Sequence, residues 1–156
     1  MPKHPVAIEV SEHIAAPPEV VWPYLVDWEH LAEWMKEGRE FRLTSSQREG
    51  VGTRAEAVIR IGFITTVDPI SVTRWEPPHL LEIEHGGWVK GGGTMRCVEA
   101  DGGTQLWWRE LLFAPLGLLG AVGMRLWTPL MRWTFRRDAR LLKELVERES
   151  RGPHGR

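Results

Sequence analysis

The chain of 156 residues has one cysteine and one tyrosine, and its charges nearly cancel, with 20 lysines and arginines against 21 aspartates and glutamates. A lone cysteine, Cys97, excludes an intrachain disulfide framework and a cysteine-based zinc site, and it suits a cytoplasmic setting. Balanced charge supplies no sequence-wide attraction to nucleic acid, so no such partner is expected. No two histidines stand at metal-ligand spacing and no carboxylate cluster completes a site, so neither a metal nor another cofactor is expected. A GxSxG elbow is missing. The KGGGT stretch at residues 90–94 lacks the GK[ST] ending and the strand-to-helix context of a phosphate loop, and it reads instead as a loop or bulge. The opening MPKHPVAIEVSEH has no apolar centre of the signal-peptide kind. The longest apolar run, LLFAPLGLLGAVGM at residues 111–124, is short for a membrane span and is interrupted by Pro115, Gly117, Gly120 and Gly123.

What the sequence does have is tryptophan, nine in all, each a wide apolar surface with one polar N–H. It also has a long amphipathic segment after Met124. Trp127, Leu130, Met131, Thr134, Phe135, Ala139, Leu141, Leu142, Leu145 and Val146 recur on one side, with Arg125, Arg132, Arg136, Arg140, Lys143, Glu144 and Glu147 on the other. Asp138 is the exception, an acid on the apolar side. Upstream, residues 6–15 alternate as a first strand. Residues 19–35 read as two short helices meeting near Asp27, because Pro23 removes a backbone hydrogen bond. From Phe41 onward the period is two. Strands are expected near 41–44, 53–63, 64–75, 80–85, 94–99 and 105–113, with Asp68-Pro69 at an edge or bulge. Short connections between them force an antiparallel meander. Residues 1–149 are expected to form a single α+β domain and 150–156 a disordered tail.

The order of elements and four motifs carry a resemblance: PPEVVWPYLVDWEHLAEW after the first strand, VTRWEPPHLLEIEH at a strand–turn–strand, DGGTQLWWRE in the last hairpin and RRDARLLKELVE in the final helix. Together they resemble the START-like (SRPBCC) superfamily, the helix-grip fold of the birch pollen allergen. Within it they are most similar to the polyketide cyclase/dehydrase and lipid-transport group. Ala32, where the family often has proline, and Pro23 depart from the pattern and blur the helix pair. The resemblance implies a curved antiparallel sheet of about seven strands wrapped around a long C-terminal helix, with two short helices after the first strand. It further implies a cavity between sheet and helix for an apolar small molecule such as a lipid, quinone or polyketide.

Residues expected to line that cavity are Trp34, Ile59, Ile61, Ile83, Trp88, Met95, Trp108, Glu110, Phe135 and Asp138. Glu110 falls on the apolar face of the last strand by alternation, and Asp138 on the apolar side of the helix by phase. An acid in such a place has its pKa raised by desolvation, or else meets a buried donor as a structural group. Asp138, Glu110 and His85 are therefore the catalytic candidates. The expected function is binding or carriage of an apolar molecule. The alternatives are a polyketide aromatase/cyclase using a cavity carboxylate, and an interaction module presenting Trp107 and Trp133. The run 111–124 is open to three roles: packed core, lid over the cavity mouth, or transient membrane contact aided by Arg125, Arg132 and Arg136. Monomer and homodimer both fit.

Overall fold

The computed structural model describes residues 5–61 and 63–152. The chain runs β1 (Val6–Ile14), α1 (Pro18–Val26), a 3₁₀ helix (Trp28–Glu33), β2 (Gly38–Leu43), β3 (Arg54–Ile61), β4 (Ile64–Glu76), β5 (Leu80–His85), β6 (Lys90–Ala100), β7 (Gly103–Phe113) and α2 (Gly117–Ser150). All seven strands form one antiparallel sheet in the order β1-β7-β6-β5-β4-β3-β2. Six consecutive strands make the meander that short turns require, and β1 returns to pair with β7. This is the helix-grip arrangement.

Alternation decides which residues face inward. The cross-strand partners Ile8, Glu110, Gly93, Ile83 and Val72 form one inward row, and Val6, Leu112, Gly91, His85 and Ile70 the next. Asp68, two residues before Ile70, points the same way. On this inner face α1 and the 3₁₀ helix supply Val21, Trp22, Leu25, Trp28, Leu31 and, just beyond, Trp34, all buried. The expected junction near Asp27 is where the two helices meet, and Pro23 is carried inside α1. Trp34 donates its indole N–H to the Tyr24 carbonyl at 3.1 Å and meets Trp108 edge-on at 5.8 Å between ring centres. Phe135 of α2 closes the stack, 4.7 Å from Trp108. Truncating one such buried ring costs about 3–5 kcal/mol.

The helix α2 lies along β1. Its C-terminal half is fastened there by Lys143 donating to the His13 carbonyl at 2.6 Å and by the Ala15 N–H donating to Glu147 at 2.8 Å. Leu142 and Val146 are fully buried. Its first half is different. Met124, Met131 and Phe135 pack on Val6, Ile8 and Leu112, while Leu118, Leu119 and Leu126 are 76%, 84% and 79% exposed.

Three expectations change. The run 111–124 is not packed core throughout: residues 111–113 end β7, and 117–124 are the first turns of α2, with Leu118 and Leu119 exposed. The break comes at Leu116 and Gly117, both in the left-handed region at φ 62° and 60°. Lys90–Thr94 is strand, not loop, because β6 needs residues without side chains there. Gly91 has φ 150°, and a Cβ on it would fall 1.9 Å from the Leu111 carbonyl oxygen. Ser150, assigned to a tail, still belongs to α2, and residues 153–156 of that tail lie outside the described residues. No helix among the described residues is long and apolar enough to cross a membrane.

Candidate ligand-binding site

Strands β4, β5, β6 and β7 contribute to a polar row on the otherwise apolar inner face. β5 ends at His85, whose Nδ1 lies 2.6 Å from Asp68 Oδ2 of β4 and whose Nε2 lies 2.9 Å from Glu110 Oε2 of β7. The Trp108 indole N–H donates to the other Glu110 oxygen at 2.8 Å, and the Gly87 N–H donates to Asp68 Oδ1 at 3.1 Å. Between His85 and Glu110 runs β6, which would block them if it carried a side chain at residue 93. A Cβ on Gly93 would stand 2.6 Å from Glu110 Oε1. The missing side chain lets a carboxylate reach across a whole strand.

Burial of this row favours neutral groups, and the charges answer it jointly. Desolvation pulls His85 down, but the hydrogen bonds to Asp68 and Glu110 outweigh it, and its pKa is pushed up to about 10. His85 is therefore an imidazolium at neutral pH, donating with both nitrogens. Asp68 and Glu110 are buried. A buried carboxylate stripped of its cation would be costly, so the three groups stand or fall together.

Asp138 belongs to a second cluster. It is fully buried, and its Oδ1 accepts from the Arg137 guanidinium at 3.2 Å and, at 3.5 Å, from the Lys36 N–H. Arg137 also pairs with Glu37 at 2.6 Å. Oδ2 of Asp138 has no ordinary donor. Burial, and then a hydrogen bond to Asp138, push the pKa of neighbouring Glu37 up to about 8. Glu37, Arg137 and Asp138 together tie the start of β2 to the middle of α2.

The other expected residues divide by exposure. Trp34, Met95 and Trp108 are core. Ile59, Ile83, His85 and Phe135 are half-buried on the inner face. Trp88 is 65% exposed in the β5–β6 turn, at the rim and not on an interior wall. The side chain of Ile61 lies outside the described residues. Cys97 is buried, and burial pushes its thiol up to about 12, so it holds no thiolate at neutral pH. A cavity of about 450 Å³ opens at the opposite end of the sheet, beside Arg74, Glu76, His79 and Arg96. None of the expected lining residues borders it. No group of three or more His, Cys, Asp or Glu among the described residues is arranged to hold a metal ion.

Sequence reasoning missed Asp68, Glu37, Arg137 and Gly93. The signals were present but local: an acid beside a proline in a strand, an arginine beside an acid, and a glycine run inside an alternating pattern.

Residues 5–147 match the family described as polyketide cyclase / dehydrase and lipid transport, and the chain belongs to it. More particularly, it is 26% identical over 122 residues to the uncharacterized protein Rv1546 of Mycobacterium tuberculosis H37Rv, covering 74% of this chain and 85% of that one. Its fold is similar to that of TTHA0849 from Thermus thermophilus, with a TM-score of 0.80 at 20% identity over 93% of this chain and 99% of the other. It is equally similar to the Zhui aromatase/cyclase from Streptomyces sp. R1128, with a TM-score of 0.80 at 16% identity over 97% and 99% of the two chains. The protein Ara h 8.0201 has the fold too, at a TM-score of 0.66 and 13% identity over 92% and 98%.

Proposed function

We propose that the protein binds an apolar small molecule against the inner face of β3–β5, and that the molecule's polar end is a hydrogen-bond donor. One observation carries this reading: half-buried Ile59, Ile83 and Phe135 share the inner face with a polar row whose donors are all spent. Both imidazolium N–H groups and the Trp108 N–H already point at carboxylates. Only carboxylate lone pairs remain for a ligand, and two carboxylates against one imidazolium leave a surplus of negative charge. A hydroxyl, phenol or amine fits there, and a carboxylate or phosphate is repelled. Apolar contact provides most of the affinity and the row sets the orientation.

The family's description also covers cyclases, whose chemistry needs a group free to exchange a proton near neutral pH. His85 has both nitrogens engaged and titrates near 10. Asp138 is sealed from solvent. These features favour binding over acid–base turnover.

Thermal melting in the presence of ligands of one chain length tests the reading. Dodecanol and dodecylamine should raise the melting temperature, by about 2.7 kcal/mol of stabilisation at a hundredfold excess over Kd. Dodecanoate should not. Glu110→Gln should erase the preference for the amine. Equal shifts from all three ligands, or none from any, would overturn it.

A further inference from the structure

The polar row and the core leave one large feature unused, the outward side of the first half of α2. Leu118, Leu119, Val122, Leu126, Leu130 and Trp133 are between 48% and 84% exposed on the side turned away from the sheet. Over these residues the helix is apolar on two sides, one on Val6, Ile8 and Leu112, the other facing solvent. From Leu118 to Trp133 the outward side extends for roughly 22 Å. The same end of the sheet carries the β3–β4 turn with Phe63, 93% exposed, and the β5–β6 turn with Trp88. Register places both turns there, because His85, Gly91, Leu112 and Val6 lie on one row at that end.

Charge says what covers this surface. Between Glu110 and Asp138 there is no acid at all, while Arg125, Arg132, Arg136 and Arg137 are present. The first three are exposed, and none has an ion-pair partner among the described residues. A second copy of the chain, docked face to face, would bring two arginine rows together with no acid in the segment to answer them. A rigid protein groove would cover one strip of the helix but not two separate turn tips. A fluid hydrocarbon edge meets helix and tips together, and anionic headgroups pair with the arginines.

We infer that this end of the molecule docks on a membrane surface containing anionic lipid, with the first half of α2 lying in the plane of the interface and Phe63 and Trp88 inserted beside it. The apolar side chains enter the acyl boundary. The arginines stay at headgroup depth, where their charge is met and their stems are covered. This docking stands apart from small-molecule binding and needs no ligand.

The experiment is sedimentation of the protein with vesicles of phosphatidylcholine alone and of roughly 3:1 phosphatidylcholine to phosphatidylglycerol. Binding is expected to the anionic vesicles, to weaken with added salt, and to fall about fivefold for each of Arg125, Arg132 and Arg136 changed to Gln, roughly a hundredfold for all three. The combined variant Leu118→Ser, Leu119→Ser, Leu126→Ser should melt like the parent and fail to sediment. Because a variant can misfold, quenching of the parent's tryptophan emission by brominated lipid gives a second readout, expected from Trp88 and Trp133. Absence of both sedimentation and quenching with anionic vesicles overturns the proposal. So does equal binding to uncharged vesicles, or a dimer in light scattering that the triple leucine variant converts to monomer.

Discussion

Where β5 ends, two carboxylates flank an imidazolium; beneath the long helix two other acids lean on one guanidinium. Asp68 and Glu110 are both served by His85, which stays charged because each of its nitrogens has an acid to meet. Glu37 and Asp138 have Arg137 at one side only, and the fully buried Asp138 leaves an oxygen that the arginine does not reach. Beside it, burial and Asp138 push the pKa of Glu37 up to about 8. The difference follows from depth. Where a cation fits between the acids, the cluster keeps its charge and can present lone pairs to a ligand. Where the cation reaches the acids from one side only, burial raises the pKa of one of them, and the cluster serves as a fastening.

The largest effect should come from breaking the fastening. Asp138→Ala leaves Arg137 and Glu37 facing an apolar hole and should cost about 3–5 kcal/mol, a fall in melting temperature of roughly 6–20 °C for a chain of this size. Loss of less than a degree would mean that this cluster holds nothing together. The polar row is next. Gly93→Ala pushes a methyl against Glu110 and should cost about 1–3 kcal/mol through the displaced carboxylate, while also abolishing any preference for donor-headed ligands. Restored stability in Gly93→Ala combined with Glu110→Ala would locate the clash.

The pH dependence separates the two clusters with the smallest perturbation. Glu37 is raised from 4.5 to about 8, so its contribution is complete below pH 4.5 and disappears as pH rises through 8. His85 is raised from 6.5 to about 10, so its contribution is complete below pH 6.5 and disappears as pH rises through 10. Both therefore make the protein less stable in alkali, in overlapping but offset windows. Denaturant melts from about pH 4 to about pH 11 should show Glu37→Gln flattening the lower part of the decline, by an amount on the order of a few kcal/mol. His85→Gln should flatten the upper part. If one variant flattens both, the clusters are coupled and the comparison fails.

Much of this architecture was legible in the sequence because periodicity is local. Alternation put Glu110 and His85 on the inward face, and helical phase put Asp138 on the apolar side of α2. Their partners were not legible. Asp68 lies just beyond the last β4–β5 pair, Ile70 with His85, where β4 has lost a neighbour, so the proline beside it read as an edge and hid the acid. Glu37 stands 100 positions before Arg137, and only the closing of α2 over the start of β2 joins them. The glycines of β6 suggested a loop because glycine is a poor strand former. Their use is spatial, and it shows only once Glu110 is placed on the adjacent strand. Exposure was not legible either: the apolar residues after Leu116 were open to core, lid or membrane contact, and much of their surface faces outward.

The open place in β6 also bears on how this chain can diverge. Residues 93 and 110 occupy one volume between them, so a descendant that acquires a side chain at 93 must first surrender the acid at 110. The reverse order is permitted: with a small residue at 110, position 93 is free to drift. Once it has drifted, a carboxylate cannot return, and His85 is left with Asp68 alone. Among relatives, glycine at the position of Gly93 should therefore track an acid at the position of Glu110, and where the glycine is gone the polar row should have been lost before it.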